Sequence, residues 1–179
     1  MGKKVWAMFF SGTGTTEKVV TAIGADIAAA TGFEMETFNF TQPKNRLIPK
    51  EFTCDDIVVL GTPVYAGRVP NVLLKYLNIV KGNGAIGIPV VLFGNRSYDD
   101  ALMELRNIMT DNGFKTIAAG AFVGAHAFSY TLAKGRPNGD DMEKASLLAQ
   151  KAAEKIKSGS LGDVPVFVKG NDPTGPYYT

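Results

Sequence analysis

Hydrophobic residues along this chain fall alternately into short unbroken runs and longer helical spacings. Val5, Trp6, Ala7, Met8, Phe9 and Phe10 form an apolar run closed by Ser11-Gly12-Thr13, which predicts a strand buried on both faces. From Glu17 to Thr31, Val19, Val20, Ile23, Ile27 and Ala30 recur at helical spacing, with Gly32 placed as a stop. Phe33–Phe40 reads as a second strand, polar enough to lie at a sheet edge, and Ile57–Leu60 as a third, fully buried one. Pro70 opens a helix with Val72, Leu73, Tyr76 and Leu77 on one face, and Ile88–Phe93 is the fourth strand. A helix over Asp99–Thr110 turns Leu102, Leu105, Ile108 and Met109 inward, and the acidic pair Asp99-Asp100 suits its N-terminus. Thr116–Val123 is the fifth strand. A last helix over Asp140–Lys157 turns Met142, Ala145, Ala149, Ala152 and Ile156 to the core.

Strands alternating with helices imply right-handed crossovers and a parallel sheet covered on both faces. The expected fold is α/β: a three-layer, doubly wound, five-stranded parallel sheet over residues 1–158. Residues 159–179, with glycines, prolines and little periodicity, read as an extended C-terminal tail, a linker or strap. In this architecture ligands bind outside the carboxyl ends of the strands, where strand order reverses. The loops that matter are then Ser11–Thr16, Thr62–Val69, Gly94–Tyr98 and His126–Pro137.

Composition narrows the function classes. A chain of 179 residues is one domain's worth, and 45% hydrophobic with 20% charged residues excludes a mainly disordered or coiled-coil protein. The net charge of +2 calls for neither a nucleic-acid nor a membrane partner. Cys54 is the only cysteine, which rules out an internal disulfide, a CxxC pair and a cysteine-based metal or iron-sulfur site. That fits a reducing cytoplasm, as does the apolar run Val5–Phe10, too short for a secretory or membrane-spanning segment.

Ser11-Gly12-Thr13-Gly14-Thr15-Thr16 joins a buried strand to a helix and offers four hydroxyls and two glycines. Backbone N–H groups at a helix N-terminus favour an anion, so this loop can cradle a phosphate with no basic side chain of its own. It lacks the P-loop lysine, and Glu17 stands where the third glycine of a dinucleotide fingerprint belongs. The bland alternative is a Ser/Thr-rich turn that only caps the helix. The loops Gly61–Pro70 and Gly94–Asp100 reach the same crevice, and each brings a tyrosine, Tyr65 and Tyr98. A planar heteroaromatic ring needs such flat walls and a few backbone donors. A phosphate cradle beside aromatic walls suits flavin mononucleotide (FMN). Equally, Tyr65 could pack on Pro63 and Pro70, and Tyr98 on Leu102. His126, the only histidine, reads as a hydrogen-bonded residue at a strand end, and Asp55-Asp56 as a turn at the wrong end for phosphoryl chemistry.

On these residues the chain resembles the flavodoxins, Ser11–Thr16 matching the family's S/T-x-T-G-x-T phosphate loop. With no insertion in strand five it is similar to the short-chain form. TPVYAGRVP, GNRSYDDAL and AFVGAHAFSYTLAKGRP resemble the flavodoxin module of flavodoxin-ferredoxin fusions of anaerobic bacteria, without the ferredoxin part. Two features depart from that narrower family: the single cysteine, and Ala125 where relatives often carry glutamate. The resemblance implies strand order 2-1-3-4-5, non-covalent FMN, and electron transfer to or from a redox partner protein such as a ferredoxin or reductase. The alternative it leaves is an FMN-dependent NAD(P)H:quinone oxidoreductase of the same fold. It further implies that Ser11, Thr13, Gly14, Thr15 and Thr16 hold the phosphate. Thr62, Pro63, Val64, Tyr65, Ala66 and Gly67 would run along the isoalloxazine edge, the Ala66-Gly67 peptide meeting N5 because glycine allows backbone rearrangement there. Gly94, Asn95, Arg96, Tyr98 and Asp99 would complete the ring site. Flavodoxins usually ring the flavin with acids, so Arg68 and Arg96 would ease its reduction, unless they are solvated or bound by carboxylates such as Asp99 and Asp100.

Overall fold

The apolar first run becomes β1, Lys4–Phe9, in the computed structural model, which describes residues 3–126, 129 and 131–173. β1 pairs in parallel with β2, Glu34–Asn39, on one side and β3, Asp56–Pro63, on the other. β4, Ile86–Phe93, pairs with β3, and its far edge carries β5, Lys115–Thr116, and β6, Gly120–Val123. The order is the expected 2-1-3-4-5, with the fifth place shared by two segments. Register aligns Phe9 with Gly61, Pro63 with Leu92 and Phe93 with Val123, so the chain leaves β1, β3, β4 and β6 at one edge of the sheet.

Helices cover both faces. On one side α1, Thr15–Thr31, and α4, Gly139–Ser158, bury Val20, Ile23, Ile27, Ala145 and Ala149 against Ala7, Val59 and Val90. On the other, α2, Asn71–Leu77, and α3, Ala101–Asp111, bury Leu73, Leu77, Leu105 and Met109 against Met8, Leu60 and Val91. α1 ends as read, Gly32 adopting φ +73° with its N–H donating to Ala28 O. Two face assignments change. Val72 is exposed, because a two-turn helix buries only the narrow stripe of Leu73, Tyr76 and Leu77, and Ala30 is exposed while Ala28 takes the inward position.

Two strands differ from their reading. β3 continues three residues past Leu60, because Gly61, Thr62 and Pro63 keep their partners Val90, Val91 and Leu92. The expected single strand Thr116–Val123 is interrupted. Gly87 pairs with Thr116 and Val90 with Gly120, which leaves one extra residue opposite Ile88-Pro89: a bulge at the place where Pro89 has no N–H to give the ladder. Lys155 Nζ donates to the bulge carbonyl of Ile117 at 2.8 Å.

Residues 159–173 form neither helix nor strand, yet they are docked. Val166 N–H donates to Thr116 O, Val168 is buried beside α3, and Asn107 Nδ2 donates to Asp172 Oδ1. From the strand-five exit, Ala127, Phe128 and Tyr130 lie outside the described residues, as do positions 174–179 of the tail.

Candidate functional site

The loop after β1 is built by its neighbours. Phe10 N–H donates to Gly61 O and Ser11 N–H to Thr41 Oγ1, which lays the chain beside β3 before it turns. Gly14 makes the turn at φ +84° and caps α1. In the first turn of α1, Glu17 N–H donates to Ser11 Oγ and Lys18 N–H to Gly14 O, whereas the amides of Thr15 and Thr16 have no intrahelical acceptor. The Thr13 and Thr15 hydroxyls stand 3.5 Å apart. Thr16 is buried with its methyl against Gly61, where a Cβ would come within 3.0 Å of it and 2.2 Å of Val20. Gly61 thus lets α1 sit close on the sheet.

After β3 the chain makes a two-residue turn. Tyr65 and Arg68 exchange both backbone hydrogen bonds at 3.0 Å, with Ala66 at φ +50° and Gly67 at φ +77°. Positive φ at both central residues marks a type I′ turn. Rotating the Ala66-Gly67 peptide would convert it to type II′, which calls for glycine at the first centre. Ala66 occupies that place, so the rotated form would set a side chain where the turn favours glycine. Gly67 is demanded twice over, because a Cβ there would also lie 2.5 Å from Asp99 Oδ2. Arg68 is not directed at the cleft. Its Nε and Nη2 donate to the two carboxylate oxygens of Glu104 at 2.9 and 2.6 Å, and Val69 N–H adds a third bond to the same group. The carboxylate that takes Arg68 is thus Glu104 of α3, rather than Asp99 or Asp100.

The loops after β4 and β6 close the far wall. Gly94 lets His126 approach, since a Cβ on it would stand 2.5 Å from the imidazole Cδ2. Gly124 N–H donates to Phe93 O, and a Cβ on Gly124 would meet Thr15 Oγ1 at 3.3 Å. Ala125 N–H donates to Arg136 O, and Arg136 is ion-paired to Asp141 at the start of α4. That pair, with desolvation opposing it, holds the Asp141 carboxyl below the usual carboxylate range, helped by the Asn138 amide.

These segments enclose a cleft of about 550 Å³. Of the residues expected at a site, Thr13, Thr15, Thr16, Pro63, Val64, Tyr65, Ala66 and Gly94 line it. Ser11, Gly14, Thr62, Gly67, Asn95, Arg96, Tyr98 and Asp99 do not. Ser11 and Gly14 shape the loop from behind, and Thr62 is fully buried with its hydroxyl unpartnered among the described residues. Gly67 and Asp99 pack on each other, Asn95 and Arg96 are exposed, and Tyr98 meets Phe93 edge-on, the centroids 5.5 Å apart. Gly12, Leu92, Phe93, Gly124, Ala125 and His126 line the cleft as well. Leu92 and Phe93 look like any core strand residues in sequence. The readable signal was the loop after the fifth strand, which opens two residues earlier than its expected start at His126.

Among the described residues no lysine, arginine, aspartate or glutamate lines the cleft. The cleft offers hydroxyls and first-turn amides from α1, together with an apolar wall of Val64, Tyr65, Leu92 and Phe93. It can take an anionic group without a cation and a flat apolar group without a buried charge. Among the described residues no cluster of histidine, cysteine and acidic side chains could hold a metal, and no helix is long and apolar enough to cross a membrane.

No family model matches the chain, and no curated protein matches it. Solved structures do. A flavodoxin of Streptococcus pneumonia TIGR4 superposes with a TM-score of 0.60 at 18% identity, over 85% of this chain and 99% of its own. An NADH:FMN oxidoreductase, in its apo form, gives 0.63 at 18% over 91% and 92%. The rubredoxin oxygen:oxidoreductase of Desulfovibrio gigas gives 0.60 at 20%; the match covers 87% of this chain but only 36% of that longer one. The chain has a flavodoxin-like fold.

Proposed function

We propose that this chain binds FMN non-covalently in the cleft and carries electrons between the flavin and a docked redox protein, such as a ferredoxin or reductase, in the cytoplasm. The observation that carries this reading is the meeting of two chemistries in one cavity: the first-turn amides and the hydroxyls at the opening of α1, and the wall formed by Val64, Tyr65, Leu92 and Phe93. The volume and the donor set both fit the group. The amides of Thr15 and Thr16 and the hydroxyls of Thr13 and Thr15 hold the phosphate, Ser11 and Gly14 set the loop's shape, and the apolar wall takes the ring and excludes water from it. When bound, FMN supplies one- and two-electron transfer. The protein's part is to hold and orient it and to leave an edge accessible beside Tyr65, which is 45% exposed. That neighbouring folds include a flavodoxin and an NADH:FMN oxidoreductase supports the choice of flavin over another phosphate ester.

The carboxylate of Glu104 offsets much of the charge of Arg68, so the exposed Arg96 is the better candidate of the two arginines to ease reduction. The test is equilibrium dialysis of the purified protein against FMN, followed by its visible spectrum. Retained, perturbed flavin bands at one equivalent support the reading, and a colourless protein rejects it. Steady oxidation of NADH with a quinone acceptor, without any partner protein, would replace the carrier by a quinone reductase.

A further inference from the structure

We propose that the C-terminal strap belongs to the frame of the cleft, with Asp100 as a positioning residue that transmits strap docking to the turn Tyr65–Arg68. Two adjacent residues each touch the strap on one side and the turn on the other. Asp100 Oδ1 accepts from Asn171 N–H at 2.8 Å, while Asp100 N–H donates to Gly67 O at 3.0 Å. Asp99 lays its carboxylate on the Cα of Gly67, and its carbonyl is so near Gly170 that a Cβ there would stand 3.5 Å from it. Asp100 sits at the N-cap of α3 yet makes no side-chain cap bond, so its carboxylate serves the strap in place of its own helix.

The strap is anchored independently at two further points, Val168 in the core and Asp172 on Asn107. Its approach to Asp99-Asp100 is therefore fixed from both ends. The turn it steadies needs support, because Ala66 and Asp99 both adopt positive φ, which side-chain-bearing residues hold only when their surroundings over-determine them. Tyr65 and Ala66 of that turn line the cleft. Undocking the strap releases the Asp100 carboxylate, loosens the Asp100–Gly67 bond and lets the wall shift. On this view residues 166–172 are a working part of the site, the strap of the two roles expected for the tail.

Mechanical linkage and its consequence for the ligand are separable, only the second resting on the FMN reading. Amide hydrogen exchange is measured on the 179-residue chain without flavin, in wild type, Asn171→Pro, Gly170→Ala, Asp100→Ala and Asp100→Asn. Asn171→Pro removes the strap donor, and Gly170→Ala strains the strap at its φ of +144° and crowds Met103 Cβ at 3.1 Å. Exchange at the amides of Tyr65, Arg68 and Asp100 should quicken about tenfold, the loss of one charge-assisted hydrogen bond, in both strap variants and in Asp100→Ala. Asp100→Asn keeps an acceptor oxygen and should restore much of the protection, while the amides of β1 stay unchanged throughout. Unchanged exchange at the three amides in the two strap variants would overturn the proposal, whatever the flavin does. FMN dissociation constants rising in the same order extend it to the site. A wild type that binds no FMN defeats the functional reading and leaves the exchange result to decide the linkage.

Discussion

Thr13 and Thr15 carry their hydroxyls into the cleft from a loop with no cation, so each should contribute a hydrogen bond to a charged group, about 1.5–3 kcal/mol. Replacing either with alanine is expected to weaken FMN binding about tenfold or more in a fluorescence titration, with the melting temperature unchanged. Thr16 behaves differently. It is buried against Gly61, and Thr16→Ala should lower the melting temperature as well as affinity. Ala66→Gly relieves a left-handed alanine and should stabilise the protein by about 0.5–1 kcal/mol in chemical denaturation, while making the turn's central peptide free to rotate. At this scale the hydroxyl-and-glycine loop was legible because nothing apolar explains it. Phe93 was not, because a cleft-facing aromatic at a strand end has the same local pattern as a core one. The packing of Tyr98 was not legible either: the alternative to a ring contact was cover for Leu102, and the half-buried ring meets Phe93 edge-on.

Between elements, buried ion pairs set the geometry of the loops. Glu104 of α3 holds Arg68 and the amide of Val69, fixing the exit of the turn. Glu104→Ala leaves a guanidinium only 18% exposed without its carboxylate, and is expected to cost about 2–3 kcal/mol in denaturant unfolding. Arg136 and Asp141 do the same for the wall that carries Ala125 and His126. Because the Asp141 carboxyl titrates lower in the folded protein than in the unfolded one, its stabilisation is complete above the unfolded value near 3.9. It is lost as pH falls through the lower folded value. Asp141→Asn should therefore destabilise the protein at neutral pH and flatten the stability curve below about pH 4, as urea unfolding at a series of pH values would reveal. The helix periodicities announced α1, α3 and α4, and Gly32 announced an end. Neither ion pair was visible beforehand, since partners 36 residues apart in one case meet only through the fold.

Over the whole molecule, alternating strand and helix patterns were enough for the doubly wound parallel sheet, because each apolar run had to be covered on both faces, while its order 2-1-3-4-5 was implied by the resemblance to flavodoxins. The bulge opposite Ile88-Pro89 escaped, since proline's missing donor matters only once its neighbour in the sheet is known. The tail was read as a linker or strap, but the contacts that hold it, at Val166, Val168, Asn171 and Asp172, were not legible, because they secure a segment with no periodicity. The fold delivers four loops to one edge, and the one leaving β1 brings the anion site. Comparing the dissociation constants of FMN and riboflavin, which differ only by the phosphate, measures that site directly. Two hydroxyls and two first-turn amides acting on a phosphate should make FMN bind at least about a hundredfold more tightly. Equal affinities, or a preference for riboflavin, would contradict the placement of the phosphate at the start of α1.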